Sequence, residues 1–117
     1  MNLCVRHFSG AFVLAPMGRV DNASSDPFLQ ALNEVVATCQ KESRLLVLDF
    51  SAVEYISSIG LRALMIAARQ MKTGGGTMVI AGLQPLVREV FSIARFDLIL
   101  HCFDSVEEAV LGTLPKP

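Results

Sequence analysis

The sequence is poor in the residues that most reactive centres need. Histidine occurs twice, as His7 and His101. Two scattered imidazoles do not suggest a metal constellation. Cysteine occurs three times, as Cys4, Cys39 and Cys102. The odd number and the absence of a CxxC spacing argue against a disulfide framework or a zinc site. Each cysteine sits in an apolar segment, so buried reduced thiols are expected. Neither sign of charge is in excess, since ten Lys and Arg stand against eleven Asp and Glu. That excludes the basic footprint of a nucleic-acid binder. No apolar run reaches the roughly 20 residues of a membrane span. The N-terminus also lacks the charged start and long apolar run of a signal peptide. These absences predict a soluble, cytoplasmic protein without membrane insertion. Internal repeats, low-complexity segments and linkers are missing too.

What is present is apolar. Of 117 residues, 52% are hydrophobic and 18% charged. The length suits one domain over residues 1–117 with a real core. The apolar share is above average, so much of the chain belongs to core or interface.

Leu3 to Phe8 alternates roughly and reads as a first strand. Ser9-Gly10 is a turn signal, and Ala11 to Met17 reads as a second strand, paired with the first as a hairpin. Pro16 suggests a bend or an edge position, and Gly18 ends the run. The polar stretch from Asp21 to Pro27 leads into a helical stripe of Phe28, Leu29, Leu32, Val35, Val36 and Cys39. Ser25 or Asp26 can cap that helix, with Pro27 in its first turn. Gln40 to Ser43 reads as a connection. Arg44 to Phe50 follows as a strand covered on both faces.

A helix is predicted from about Ser58 to about Met71. The three glycines Gly74 to Gly76 end it. They follow a helix and precede a strand, the reverse of a phosphate-cradling loop. Thr77 to Ala81 is the next buried strand. Pro85 opens a helix with the stripe Leu86, Val87, Val90, Phe91 and Ala94. Leu98 to Phe103 reads as a last strand. Ser105 and Glu108 fit a capping box for a terminal helix that docks through Val106, Ala109 and Val110, and Leu114 to Pro117 is a tail. After the hairpin, strands and helices alternate. An α/β fold with a mostly parallel sheet is therefore expected.

Ser57 and Ser58 fall at the start of the Ser58 helix. A serine there caps unpaired backbone N–H groups. The same place suits a phosphate, because free N–H groups and the helix dipole favour negative charge. Cap and switch are both open on this ground. Ile59 is either core or an apolar contact beside the hydroxyls. Gly60, costly by about 1 kcal/mol inside a helix relative to Ala, signals close approach of a backbone, a partner or a phosphate. The loop from Gly18 to Ser25 also precedes a helix. Asp21, Asn22, Ser24 and Ser25 are candidates to line the same surface or simply to cap and meet water.

No catalytic set emerges. A serine nucleophile needs a base within reach, and both histidines read as strand residues. Asp49 and Glu54 form the one conceivable acid/base pair. Asp49 reads better as a strand end satisfying backbone groups, and Glu54 as solvated. A small nucleotide hydrolase ranks last, since no base, metal cluster or phosphate loop is present.

The stretch Leu48-Asp49-Phe50-Ser51-Ala52-Val53-Glu54-Tyr55-Ile56-Ser57-Ser58-Ile59-Gly60-Leu61 resembles the STAS domain, the module of anti-sigma-factor antagonists and sulfate transporters. The family pattern is an apolar strand, Asp-x-Ser, an apolar segment, then Asp-Ser-Ser/Thr-Gly-Leu at a helix start. Gly18-Arg19-Val20-Asp21, the glycine turn and Gly82-Leu83-Gln84-Pro85-Leu86-Val87 support the match. The resemblance implies a four- to five-strand sheet with about four helices, mainly against one face. It implies a regulatory binding protein rather than an enzyme, with no cofactor. In the antagonist branch, a histidine-kinase-like anti-sigma kinase phosphorylates the serine after the motif's Asp, which here is Ser58. The unphosphorylated antagonist binds the anti-sigma factor, and a PP2C-type phosphatase restores it. The implied partner surface takes in Asp21, Asn22, Ser57, Ser58, Ile59, Gly60 and Arg62. Two positions depart from the pattern. Ser57 replaces the motif's Asp, which removes a charge beside the acceptor and offers a second acceptor. Ile59 replaces the second Ser or Thr. The alternative these departures suggest is a scaffold or transport-accessory STAS protein that binds without phosphorylation.

Overall fold

The computed structural model describes residues 3–8, 10–21, 25–42 and 45–113. Its strands are β1 (Leu3–Phe8), β2 (Ala11–Pro16), β3 (Gly18–Val20), β4 (Leu45–Asp49), β5 (Val53–Ile56), β6 (Thr77–Ala81) and β7 (Cys102–Phe103). Its helices are α1 (Ser25–Glu42), α2 (Ser58–Thr73), α3 (Pro85–Ile93) and α4 (Val106–Thr113). The main sheet has the order β1-β2-β4-β6-β7. β1 and β2 form the expected antiparallel hairpin, and every later pairing in this sheet is parallel.

Side-chain alternation builds two cores on the two faces of the sheet. Phe12, Leu14, Leu46, Leu48, Met78 and Ile80 face α1, α2 and α3. Ala11, Val13, Leu45, Val47, Val79 and Ala81 face the other way and meet Val106, Ala109 and Val110 of α4. Three helices thus cover one face and the short α4 the other. β4 has no polar residue between Leu45 and Leu48 because both its faces are covered.

Cys39, on the inward face of α1, is buried and free. Burial pushes its thiol up to about 12, so it stays protonated and inert. Cys102 is half-buried and free, and its thiol is also raised, by burial first and by Asp97, against the lowering pull of Arg88. No helix among the described residues is long and apolar enough to cross a membrane.

Several local expectations hold. Gly74, Gly75 and Gly76 donate to the carbonyls of Gln70, Lys72 and Met71 and so close α2. The Ser105 hydroxyl accepts the Glu108 N–H at 3.2 Å and caps α4. Asn22, Ser24, Arg44 and the tail Leu114 to Pro117 lie outside the described residues.

Other expectations are corrected. Gln40 and the two residues after it continue α1 instead of connecting to the next strand. Pro16 ends β2, which lies between β1 and β4 but pairs with β4 only over Phe12 to Leu14, so at Pro16 it pairs with β1 alone, as the proline suggested. The second run ends before Gly18, as expected, but Gly18 also opens β3, which pairs in parallel with β5 as a separate two-stranded ribbon. Of the α3 stripe, Val87 and Phe91 are buried, whereas Leu86 and Ala94 are exposed. The strand expected over Leu98 to Phe103 shrinks to Cys102–Phe103. Phe96–Leu98 instead forms a 3-10 turn, with Phe96 buried against the Phe91 ring at 5.8 Å. Burying that ring turns the chain, and only Leu100 of the following apolar run goes inside. His101 accordingly lies before the strand, exposed.

Candidate functional site

α2 starts where β5 ends, and its first turn is built by local capping. Ser57 is the N-cap, in an extended conformation. Its hydroxyl accepts the Gly60 N–H at 3.3 Å. The Ser57 N–H in turn donates to the Val20 carbonyl at 2.7 Å. This second bond ties the helix start to the end of β3. It places Asp21 one residue from the site, on the side the sequence suggested. Asp21 is half-buried and pairs with Arg19 at 3.5 Å. The Arg19 guanidinium lies 4.5 Å from the centre of the Tyr55 ring on β5, a cation–π contact.

The two serines have different environments. Ser57 is half-buried and its oxygen is engaged in the cap. Ser58 is exposed in the first turn. That turn carries no acidic residue, so the positive end of the helix dipole is not offset there by a side chain of the turn. Ile59 is exposed at 46%, which decides between the two roles open to it. It is surface, not core. Arg62 is exposed one turn beyond Ser58, at the i,i+4 spacing that brings side chains together.

Gly60 is a correction to the expected partner surface, because it is buried. A Cβ at this position would lie 2.7 Å from Cγ1 of Ile56 and 2.7 Å from Cγ1 of Val20. The close approach is therefore internal. α2 rests on the β3–β5 ribbon through a residue without a side chain, and this contact sets the height of Ser58 above the sheet.

The remaining acidic candidates stand apart. Asp49 accepts the Ser51 N–H at 3.1 Å, the backbone role expected of it, and Glu54 is exposed on β5. Gln84 donates to the Ser51 carbonyl at 2.8 Å and ties this loop to the start of α3. Gly82 lies between, at φ 74°, where a Cβ would meet Ser51 at 3.2 Å. Asp49 and Glu54 serve strand end and solvent, and no grouping of three or more His, Cys, Asp or Glu able to hold a metal occurs among the described residues.

Sequence reasoning missed the β3–β5 ribbon and with it the Arg19–Tyr55 contact. The four residues of β5 carry no period-2 signal, since Val53 and Ile56 are both buried with Glu54 exposed and Tyr55 half-buried between them.

The local geometry makes a stability prediction. Ser57→Ala removes the cap and is expected to cost about 1 kcal/mol. Ser57→Asp, which restores the family's residue and also caps, is expected to stay within a few tenths of that scale. Urea denaturation of the three proteins measures it. Equal stability of Ser57→Ala and the native protein would show that the cap contributes nothing.

The comparisons with known proteins agree with this architecture. A family model described as the STAS domain matches residues 2–109. BtrV of Bordetella bronchiseptica, which carries the name of an anti-sigma factor antagonist, is 35% identical over 109 residues, spanning 93% of this chain and 91% of BtrV. The anti-sigma-F factor antagonist RsfB of Mycobacterium tuberculosis is 27% identical over 113 residues, spanning 96% of this chain and 88% of RsfB. The crystal structure of an anti-sigma factor antagonist from Mycobacterium paratuberculosis superposes with a TM-score of 0.84 at 23% identity, covering 95% of this chain and 92% of that one. A mostly parallel sheet, four helices and a match along nearly the whole sequence lead to one conclusion: the chain belongs to the STAS domain family.

Proposed function

We propose that this protein is an anti-sigma-factor antagonist whose binding to its anti-sigma factor is switched by phosphorylation of Ser58. The observation that carries the reading is the contrast between the two serines. Ser58 is exposed at the start of α2, while Ser57 is half-buried and its oxygen is engaged in the cap. The names of the relatives support the general role. In this reading the unphosphorylated surface of Ser58, Ile59 and Arg62, flanked by Asp21, binds an anti-sigma kinase of the histidine-kinase-like type. A phosphate adds about −1.5 to −2 charges and three acceptor oxygens. It sits at a helix N-terminus that tolerates negative charge, so the fold survives and the interface is what fails. A PP2C-type phosphatase resets the switch.

The test is phosphopeptide mapping after incubation with ATP and an anti-sigma kinase of the histidine-kinase-like type. Phosphate on Ser58 alone is the expected result. Phosphate on Ser57, or on neither serine, would overturn the switch.

The exposed Ile59 favours a second reading, a scaffold or transport-accessory protein. An apolar side chain at 46% exposure beside the acceptor suits a constitutive contact. A stable complex with no phosphate on either serine would select it.

A further inference from the structure

A second surface begins at Ser58 and runs along α2 away from the helix start. Two adjoining cavities of about 500 and 530 Å³ share Met65 and Arg69 and together form one groove. One wall is α2. The other is the segment after α3, with Ala94, Phe96 and Ile99. The floor is apolar, and two of its apolar lining residues, Ile66 and Ile99, are 38 and 55% exposed. The rim is cationic. Arg62, Arg69 and Lys72 line the groove, and no carboxylate does. These are three of the ten Lys and Arg in a chain of net charge −1, so the concentration is local. None of the three makes an ion pair among the described residues. Asp97, on the 3-10 turn, is exposed and lies outside the groove lining.

The backbone at the far wall is strained. Arg95 is the single described non-glycine residue with positive φ, at 61°. A left-handed conformation costs such a residue roughly 1–2 kcal/mol. It stands between Ala94 and Phe96, which both line the groove, and it turns the chain so that Phe96 goes inside while Leu98 and Ile99 stay out.

We propose that this groove docks an acidic, amphipathic helix of a partner protein. Arg62 and Arg69 are seven residues apart, two turns of α2, and Lys72 follows one turn later. The three span about 15 Å along the axis. A second helix laid alongside would match them with carboxylates at a two-turn spacing and set its apolar stripe on Met65, Ile66, Phe96 and Ile99. This is the helix-in-groove mode, in which apolar anchors supply affinity and rim charges supply selection. The proposal goes beyond the Ser58 switch and stands without it, since it needs no phosphate.

Two stapled, fluorescein-labelled 16-residue helices with one shared Leu/Met stripe test it, one flanked by Glu and the other by Lys. Fluorescence anisotropy with the full chain at 50 mM salt is expected to show the Glu helix binding at least tenfold tighter. Amide shifts should concentrate in residues 58–72 and 94–100. The double variant Arg62→Glu/Arg69→Glu is expected to reverse the preference. Arg62→Gln/Arg69→Gln should abolish the preference without reversing it, which keeps the test sound if the first variant folds poorly. Equal affinities, no binding by either helix at millimolar concentration, or shifts elsewhere would overturn the proposal. So would a dimer in sedimentation that Ile66→Glu dissolves, because a second copy would then fill the groove.

Discussion

Ser58→Asp is expected to weaken binding to the anti-sigma partner about a hundredfold, while Ser58→Ala stays within about threefold of the native protein. A hundredfold corresponds to about 2.7 kcal/mol. That is within the 2–5 kcal/mol or so that a buried, unpaired interface charge costs. The effect falls on the complex and not on the free protein. Ser58 is exposed, and the first turn of α2 has no acidic residue. A carboxylate there gains from the helix dipole by about 0.3–1 kcal/mol. The thermal midpoint of Ser58→Asp should therefore be equal to or slightly above that of the native protein. Titration calorimetry for binding and a circular dichroism melt for stability separate the two. Native affinity for Ser58→Asp would sink the switch. A lowered melt would instead show that the side chain is not as free as its exposure indicates. Phosphate itself should act more strongly than Asp, since it carries more charge.

Gly60→Val is expected to be the most damaging change in the first turn of α2. The first added carbon already falls 2.7 Å from Cγ1 of both Ile56 and Val20. Those two side chains are β-branched, stiff at χ1 and fully buried, at 1 and 0% exposure. Neither can swing aside. Overpacking of a closed site costs typically 1–3 kcal/mol, and roughly 3 is expected here. For a domain of this size the melting midpoint should fall by on the order of 10 °C. Gly60→Ala should cost less, because Ala regains up to about 1 kcal/mol of helix propensity over Gly. A melt of Gly60→Val within 2 °C of the native one would refute the tight approach. The change also bears on function. Lifting α2 from the ribbon strains the 2.7 Å bond between Ser57 and Val20 and displaces Ser58 with it.

These two residues illustrate what was legible beforehand. The start of α2 was readable at Ser57-Ser58, since a cap is a contact between neighbours three residues apart. The end of α2 was readable at Gly74 to Gly76 for the same reason. β4 was readable because four consecutive apolar residues can be covered only from both sides. The resemblance to the family motif added Ser58 as the proposed acceptor. Gly60 in a first turn signals a close approach, but no local pattern names its neighbour. Val20 is forty residues away, and nothing local says that it sits beneath the helix.

The misreadings share one cause. Gly18 to Val20 is too short to show a period, and it becomes a strand only because β5 offers it a parallel partner. Leu98 to Leu100 has a strand's composition, but β6 pairs with β7 only at Cys102 and Phe103. With no ladder to join, the segment is governed by Phe96, whose ring fills the space beside Phe91.

By itself, the sequence determined the order of the principal strands and helices, the hairpin at the start, the caps of α2 and α4, and the motif that presents Ser58. Each depends on hydrophobic period or on contacts within one turn. The tertiary structure alone decided that Ile59 is exposed and Gly60 buried. It alone joined β3 to β5 and brought the end of α3 beside α2 to form a cationic groove. Those outcomes depend on which distant surfaces meet, and burial of apolar area is non-directional, so no local pattern specifies the partner.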